Sequence, residues 1–545
     1  MAQMTGGQAI IESLMAQGVD TVFGLISIHM LGVYDALHDV QDRVRFVGGR
    51  HEQAVAFMAD GYARATGRPG VCFTSTGPGA ANTMGAMGEA WAGSIPVLQV
   101  TSNVDAALID GGRGALHEPY HQREMFASVT DWTALCRTVE EAPRAVFEAF
   151  ERFKTRRPRP IAIEVATDAI HKTGEAEILP GRDFPRQAGD PALVERAAQV
   201  LAKARRPLLW AGGGVLTAGA WEELRRLAEL LDAPVVTTQG GKGAIPSSHD
   251  LALGCIRGGR VYGENPLHEF VASCDVALVV GSRLAHGLTS GVGMRLPETI
   301  IHVDLADDVF NKNYPASVAI KGDVKAVMGR LGAMLRGKDL AKPEAFRREV
   351  AKVKAGAAQA LHRAGPNQQR TMDALREVIP SDAIVVADAT VPAYWAAQGW
   401  AVEEPRTYIS PHGWTGIGFG WPASLGAKVG MPQRKVVLMS GDGGFQLNLQ
   451  ELATVVQERI PVVAVIWNDN AWGVLKGMQR DRYQQRYFGT DLWNPDFVKL
   501  AQVYGVAATR VNSLVELART LQGALGRDEF HLIEVAMPEG FSNFR

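Results

Sequence analysis

The stretch KVVLMSGDGGFQLNLQELATVVQERIPVVAVIWNDNAWGVLKGMQ, which runs from Lys435 to Gln479, decides the fold because apolar runs alternate in it with polar, glycine-containing turns. Val436 to Met439 is an apolar run typical of a buried strand, and the turn GDGG at 441–444 ends it. Apolar residues then recur at helical spacing from Asn448 to Glu458, before a second apolar run from Val462 to Trp467. The pattern predicts a βαβ unit within a parallel sheet.

Two aspartates follow the two predicted strands of this unit, Asp442 after the first and Asp469 after the second. Parallel strands end at the same carboxyl edge of a sheet, where ligands of open α/β sheets bind, so we expect the two carboxylates to face one crevice. Mg²⁺ takes oxygen ligands and is usually completed by phosphate oxygens. The pattern therefore predicts a magnesium site, and the alternative is a tight turn with two solvated aspartates.

The turn GDG, followed about thirty residues later by Asn468-Asp469-Asn470, resembles the diphosphate-binding motif of thiamine diphosphate (ThDP) enzymes. The resemblance implies that Asp442 and Asp469 bind Mg²⁺ through their side chains and Ala471 through its backbone carbonyl. It also implies that three glycines of the turn lie against the diphosphate: Gly441, Gly443 and Gly444.

Length, charge and cysteine usage exclude several other classes of protein. The 545 residues predict about three domains of ~150 residues, and a net charge of −2 offers no field for nucleic acid or an anionic membrane. The stretch from Met1 to Gly18 lacks the basic and apolar regions typical of a signal peptide, and no apolar run approaches the ~20 residues of a membrane span. The four cysteines lack metal-binding spacing. We expect a cytoplasmic protein that acts on a small molecule.

A carboxylate in the N-terminal part stands where a strand meets a helix. Glu52 follows the predicted strand at Phe46 and precedes a helix predicted from Ala54 to Thr66, so its plain interpretation is a helix cap. The strand Val71 to Thr74 and the turn Ser75 to Asn82 follow. Together they resemble the acetolactate synthase group of ThDP enzymes, which implies that Glu52 holds N1′ of the aminopyrimidine and that Asn82 contacts the cofactor.

That carboxylate has a specific chemical task in the family. An acid that shares a proton with N1′ favours the imino tautomer of the cofactor, whose 4′ nitrogen then removes the proton from the thiazolium C2. A glycine-rich turn from Ser410 to Gly420 precedes another predicted helix. In the resembling enzymes a bulky apolar residue at the position of Ile417 supports the V-shaped cofactor, and Ile417 fits this role by size.

Between Pro185 and Leu340, glycine-rich turns after predicted strands suggest nucleotide binding, although no GxGxxG motif opens a helix. The segment resembles the middle domain of the acetolactate synthase group, which holds FAD in some members and ADP or nothing in others. Gly281 to His286 replaces the acidic run of the FAD-bearing pattern, so the sequence does not predict FAD as a required cofactor. A linker rich in Lys, Arg, Ala and Gly is predicted from Arg336 to Gln368.

Three histidines bear on the choice of reaction. His29 follows Phe-Gly-Leu, and benzaldehyde lyase has a histidine after a similar start. His117 stands where the acetolactate synthase group usually has a glutamine, and glyoxylate carboligase has a Leu-His pair in a similar stretch. His412 begins the turn that leads to Ile417. Neutral imidazoles beside a carbanion are natural proton shuttles, so His29 and His117 are candidate catalytic residues, whereas a lone histidine is more often structural.

The resemblance covers nearly the whole chain and implies three doubly wound parallel-sheet α/β domains. These are a pyrimidine-binding (PYR) domain at 1–170, a middle domain at 185–340 and a diphosphate- and Mg²⁺-binding (PP) domain at 365–545. In the family Glu52 and the Asp442/Asp469 site belong to different subunits, which implies a homodimer or homotetramer with active sites at the subunit interface.

The reaction implied is that of a 2-oxo acid decarboxylase or carboligase that works through an enamine intermediate on a carbonyl substrate. One alternative is a lyase resembling benzaldehyde lyase or 2-hydroxyacyl-CoA lyase, which His29 favours. A second alternative is an inactive ThDP-fold protein that regulates a partner. The presence of Glu52, Asp442 and Asp469 argues against that last alternative.

Overall fold

The computed structural model describes residues 1–256, 266–285 and 294–537. It contains three six-stranded sheets whose strands are all parallel, each flanked by helices. Each sheet lies within one of the three predicted segments, and the predicted α/β class is confirmed. The exact domain boundaries stay a prediction.

The N-terminal sheet contains, in order across it, the strands Arg45–Gly48, Thr21–Gly24, Gly70–Thr74, Val97–Asn103, Ile161–Ala166 and Trp132–Cys136. A separate antiparallel pair joins Ala2–Thr5 to Thr173–Ala176. The helices of this part are Gly6–Ala16, Leu31–His38, Glu52–Thr66, Pro78–Ala81, Met84–Gly93, Gln122–Ala127, Glu141–Thr155 and Thr167–His171, with a 3₁₀ turn at Ile28–Met30. Apolar strand residues face cores on both sides of the sheet, as a doubly wound sheet requires.

The middle sheet contains, in order, Ala252–Cys255, Val235–Thr237, Pro207–Ala211, Val276–Val280, Thr299–Asp304 and Val318–Lys321. The first and last of these are edge strands that the sequence did not predict. The described helices are Pro191–Lys203, Gly213–Thr217, Trp221–Leu231, Pro266–Ser273 and Val324–Leu335, with 3₁₀ turns at Gln239–Gly241 and Asp307–Val309.

The C-terminal sheet contains, in order, Tyr408–Ile409, Ile384–Ala387, Val436–Gly441, Val463–Asn468, His531–Ala536 and Ala507–Val511. Its helices are Pro366–Val378, Val391–Gly399, Gly420–Gly430, Asp442–Gln446, Leu452–Glu458, Gly473–Arg482, Phe497–Val503 and Leu514–Leu525. The βαβ unit predicted from the sequence is present, but its helix is split. A 3₁₀ turn at Leu449–Glu451 precedes the α-helix, and the predicted glycine turn opens the short helix that begins at Asp442.

The predicted linker from Arg336 to Gln368 contains a long helix. Residues Glu344–Ala364 form a helix of 21 residues that packs on the middle domain. Phe346 stacks on Phe270 with ring centroids 6.0 Å apart, and Arg206 donates to Glu349 in a bidentate pair at 2.7 Å. The abundance of Lys, Arg and Ala that suggested a linker is also the composition of an exposed helix.

Two helices join the N-terminal and C-terminal domains within one chain. Glu52–Thr66 crosses Gly420–Gly430, and glycines stand where the two backbones come closest. A Cβ added at Gly61 would overlap the backbone of Ala423, and one added at Gly426 would overlap that of Met58. The contact therefore requires glycine on both helices.

None of the helices in the described ranges is both long enough and apolar enough to cross a membrane.

Candidate active site

The first group of candidate residues lies at the carboxyl edge of the C-terminal sheet. Val436–Gly441 and Val463–Asn468 pair in parallel, with Gly441 opposite Trp467, so Asp442 and Asp469 leave the sheet side by side. Asn494 donates to Asp442 Oδ2 at 2.6 Å and to Asn468 Oδ1 at 2.9 Å. The two carboxylates predicted from the sequence are thus brought to one edge, and the solvated-turn alternative is excluded for Asp442, which is buried.

The electrostatics of this edge favour a cation. Burial raises the pKa of Asp442, and burial followed by the negative charge of Asp442 raises the pKa of Asp469 to about 6. A bound cation would relieve both effects because it stabilises the ionised carboxylates. Among the described residues no group of three or more His, Cys, Asp and Glu side chains is placed to hold a metal. Further oxygen ligands would come from groups of other kinds, among them the predicted backbone carbonyl of Ala471, and from a bound diphosphate.

Each glycine of the turn stands where a side chain would not fit. A Cβ at Gly441 would lie 2.7 Å from Thr390 Oγ1, one at Gly443 would lie 2.5 Å from the Trp472 ring, and one at Gly444 would lie 2.7 Å from Asp388 Oδ2. The three glycines therefore allow three neighbouring segments to close on the turn. Their contact with a diphosphate stays a prediction.

Two polar residues of this edge, the buried Asp388 and the half-buried Asn494, were not recognised from the sequence as site residues. The carboxylate of Asp388 accepts hydrogen bonds from the N–H groups of Ala389 at 2.7 Å and Gly418 at 3.2 Å and from the Ser440 hydroxyl at 3.1 Å. It therefore joins three of the turns at this edge. Asp388 follows a predicted strand directly, a position that could have identified it, whereas no periodic signal marks Asn494.

Ile417 lies between glycines on the segment that precedes the helix Gly420–Gly430. Ile417 is 40% exposed, which leaves apolar surface free to support a ligand. Asn448 donates to the carbonyl of Gly418 at 2.9 Å, next to Ile417. The exposed surface of Ile417 is accessible to a cofactor, and its role in supporting the cofactor stays a prediction.

The second group lies at the carboxyl edge of the N-terminal sheet, around Glu52. Glu52 is the first residue of its helix, but the cap is His51, whose Nδ1 accepts from the N–H of Gln53 at 3.1 Å. The cap interpretation of Glu52 is therefore wrong. Asn82 instead donates to Glu52 Oε2 at 3.0 Å, and Gly79 leaves room beside Oε1. The turn 75–82 thus holds the Glu52 carboxylate through Asn82 and does not cover it.

His29 and His117 lie together beside this turn, with ring centroids 5.1 Å apart. His29 is largely buried with Nδ1 3.4 Å from the Ser75 hydroxyl, whereas His117 is exposed. Burial, followed by the charge of His117, lowers the pKa of His29, so a neutral imidazole is favoured at neutral pH. The structure therefore brings both predicted histidines to the edge that carries Glu52.

His412 lies elsewhere. The residue is half-buried, and its ring packs against Gly240 of the middle domain with Nδ1 3.3 Å from Arg64. Burial, followed by the charge of Arg64, lowers the pKa of His412 to about 3. An imidazole that stays neutral and enclosed is a poor proton shuttle, so the structure favours a structural role for His412.

A cavity of about 980 Å³ opens between the domains at the carboxyl edge of the middle sheet. Its lining includes the glycine turn 212–214, Arg283 and two strand-end carboxylates, Asp304 and Asp323. Part of the segment whose sequence departs from the FAD-bearing pattern lies at this cavity. Arg283 and Ala285 line it, and Leu284 is buried. His286 lies outside the described residues. The geometry is that of a nucleotide-sized crevice at a strand edge.

Comparisons with known proteins agree with this arrangement. Three family models match: the N-terminal TPP-binding domain of thiamine pyrophosphate enzymes at residues 4–125, their central domain at 194–331 and their C-terminal TPP-binding domain at 388–535. Together they cover well over half of the chain. The chain belongs to the thiamine pyrophosphate enzyme family.

Several curated relatives align over nearly the full length. A probable 2-ketoarginine decarboxylase of Pseudomonas aeruginosa is 38% identical over 98% of this chain and 94% of its own length. A probable acetolactate synthase large subunit of Methanocaldococcus jannaschii is 36% identical over 98% and 92%, and the isozyme 2 large subunit of Escherichia coli acetolactate synthase is 32% identical over 98% and 96%. The chain is thus an acetolactate synthase-like, ThDP-dependent enzyme that forms or cleaves carbon–carbon bonds.

Proposed function

We propose that this enzyme is a ThDP- and Mg²⁺-dependent 2-oxo acid decarboxylase or carboligase. The observation that carries the proposal is the pair Asp442 and Asp469 at one sheet edge, with Asn494 holding the first of them. The relatives named as decarboxylase and as acetolactate synthase support a 2-oxo acid as the substrate class. They also argue against the inactive regulatory protein that the sequence left open.

Different residues would hold the two ends of the cofactor. When bound, ThDP supplies the carbanion and electron sink that decarboxylation of a 2-oxo acid needs, by the enamine route predicted from the sequence. Asp442, Asp469 and the carbonyl of Ala471 would hold Mg²⁺ and through it the diphosphate. Glu52, fixed by Asn82, would hold a proton at N1′, and Ile417 would support the cofactor between its two ends.

The reaction is tested by supplying the protein with ThDP, Mg²⁺ and a panel of 2-oxo acids that includes pyruvate and 2-ketoarginine. We expect CO₂ release with at least one acid, together with an aldehyde from protonation or an acyloin from ligation. A protein that binds ThDP and Mg²⁺ but releases no CO₂ from any acid of the panel would contradict the proposal.

The lyase alternative keeps one observation in its favour, the pair His29 and His117 at the edge that carries Glu52. A neutral His29 could take the proton from the hydroxyl of a 2-hydroxy ketone, the step that starts carbon–carbon cleavage. Cleavage of benzoin or another acyloin, measured as aldehyde release and lost on His29→Ala, would favour this alternative. Decarboxylation that survives His29→Ala with no acyloin cleavage would exclude it.

The proposed assembly is a homodimer or homotetramer with the active sites between subunits. In the described residues no hydrogen bond or ion pair joins Glu52 or Asn82 to Asp442, Asp469 or Asn494 within one chain. Large apolar side chains are also exposed near both groups, among them Ile28 and Leu116 beside the histidines and Trp493 beside Asn494. A second copy that covers these surfaces would complete each site. We also propose a cytoplasmic location, and the four free, buried cysteines fit a reducing compartment.

Asn494→Ala should weaken Mg²⁺-dependent ThDP binding by about 10- to 100-fold, the range found when a residue that orients a metal ligand is removed. The physical reason is that Asp442 loses the donor that fixes its carboxylate. Titration of the protein with ThDP at fixed Mg²⁺, followed by calorimetry, measures the effect. Affinity equal to that of the unsubstituted protein would show that Asn494 does not orient a ligand.

Protein purified without added flavin should lack the visible absorbance of bound FAD. The reason is the replacement of the acidic run after Arg283, since the cavity alone accepts a nucleotide of several kinds. An absorption spectrum after removal of free ligands by gel filtration makes the measurement. A yellow protein with stoichiometric FAD would contradict the prediction.

A further inference from the structure

The segment that carries Ile417 has an unusual backbone. Gly413 has φ 121°, Thr415 has φ 56° and Gly418 has φ 86°, so three of six successive residues have positive φ. Glycine accepts such values readily, but Thr415 is β-branched and is an outlier there. Conformations of this kind persist only where the surroundings hold them, and they cluster at functional sites.

One buried carboxylate holds this segment. Glu89, on the helix Met84–Gly93, is 0% exposed. Its Oε1 accepts from the N–H of His412 and its Oε2 from the N–H of Thr415, both at 2.9 Å. Hydrogen bonds to a charged group are about twice as strong as neutral ones. Glu89 therefore fixes the strained residue and a second point three residues before it.

Arg64 fixes Glu89 in turn. Its Nη2 lies 3.3 Å from Glu89 Oε1, and its Nη1 donates to the carbonyl of Ser410 at 3.0 Å. Its guanidinium lies 5.0 Å from the ring centroid of Phe419, and it pairs with the buried Asp60 one helical turn away. One arginine therefore contacts both ends of the segment, Ser410 and Phe419, and the carboxylate that holds its middle.

We propose that Glu89 is a positioning residue: held by Arg64, it keeps the segment from Ser410 to Phe419 in the strained conformation that presents Ile417 to the cofactor. The proposal rests on the proposed function of Ile417. Packing supports it, since a Cβ at Gly413 would lie 2.6 Å from Ala92 Cβ, and Gly88 leaves room for the ring of Trp414. The helix of Glu89 thus contacts the segment through both sterics and hydrogen bonds.

The test is Glu89→Gln, which keeps the shape of the side chain and removes its charge. Amide hydrogen exchange, read by mass spectrometry on peptides within 410–419, should become about 10- to 100-fold faster, the size expected for loss of hydrogen bonds to a charged group. Peptides from Glu52–Thr66 and Gly420–Gly430 should keep their exchange rates. We expect kcat to fall about tenfold or more while the affinity for ThDP and Mg²⁺ changes less than threefold, because the diphosphate contacts lie elsewhere.

Glu222→Gln is the matched control, because it makes the same substitution in an ion pair of the middle domain. It should leave exchange at 410–419 and kcat unchanged. Unchanged exchange of the segment in Glu89→Gln would overturn the proposal, and so would faster exchange spread evenly over the neighbouring helices. If Glu89→Gln does not fold, Glu89→Asp keeps the charge beside Arg64 but withdraws the oxygens from the segment, and the same local loss is expected.

The contribution of the strain is tested by making Glu89→Gln a second time, in a protein that also carries Thr415→Gly. Thr415→Gly removes the steric cost of φ 56°, so Glu89→Gln should accelerate exchange less in that background than in the unsubstituted protein. Equal acceleration in both would show that Glu89 does not hold Thr415 in its conformation. Ile417→Ala separates this proposal from the function it rests on. A segment loosened by Glu89→Gln together with full activity of Ile417→Ala would refute the role of Ile417 and leave the positioning by Glu89 intact.

Discussion

Glu52→Gln is expected to lower kcat by about 10²- to 10⁴-fold, the contribution typical of a positioned acid–base group. Glutamine keeps the size of the side chain and an oxygen that can accept from Asn82, which donates to Glu52 at 3.0 Å. It lacks the acid that would share a proton with N1′ of the cofactor. The affinity for ThDP should change far less, because the proposed diphosphate and metal contacts lie at the other end of the molecule.

Exchange of the thiazolium C2 proton with deuterated solvent, quenched with acid and read by NMR, measures the affected step directly. Glu195→Gln, an exposed change on a middle-domain helix, is the matched control and should leave the exchange rate unchanged. An exchange rate in Glu52→Gln equal to that of the unsubstituted enzyme would require the catalytic assignment of Glu52 to be withdrawn. A return to the cap interpretation would not follow, since His51 is the cap.

Asp442→Ala is expected to abolish Mg²⁺-dependent binding of ThDP. Removing a metal ligand should cost more than the roughly 10- to 100-fold lost when a residue that merely orients a ligand is changed. The diphosphate would keep its charge beside Asp469 with too few protein oxygens left to hold the cation between them. Calorimetric titration with ThDP, with and without Mg²⁺, measures the loss.

Asp307→Ala is the control for this change, because Asp307 is an exposed aspartate of the middle domain that pairs with Lys321. Its cofactor affinity should equal that of the unsubstituted protein. Asp442→Asn adds a sharper comparison, since it keeps the volume at a crowded position and removes only the charge. Full Mg²⁺-dependent affinity in both Asp442 variants would exclude Asp442 as a ligand.

The sequence predicted the carboxyl edge of the C-terminal sheet because that edge depends on local signals. Apolar runs that end in glycine turns mark strands, and parallel strands bring the residues after them together, which placed Asp442 beside Asp469. Glu52 and His29 became candidates through the resemblance to ThDP enzymes, and both lie beside the turn 75–82 in the structure. These predictions needed no knowledge of how the domains pack.

Contacts between elements far apart in the sequence were not predictable in this way. Glu89 and Thr415 are 326 residues apart, and Asp442 and Asn494 are 52 apart on elements whose relative placement depends on tertiary packing. Val318–Lys321 was missed because it is a short edge strand, for which the apolar signal is weak. The helix within the linker was not predicted because composition alone does not separate an exposed helix from a flexible chain.

The helix Glu344–Ala364 gives the chain a mechanical property. A flexible tether would let the C-terminal domain swing away from the middle domain, but this connection is a continuous hydrogen-bonded rod. Phe346 and Glu349 anchor its first half, and Lys354 donates to the carbonyl of His249 at 2.7 Å further along. These contacts fix the helix to the middle domain, so a hinge between the middle and C-terminal domains is left to Gly365, the residue at which the helix ends.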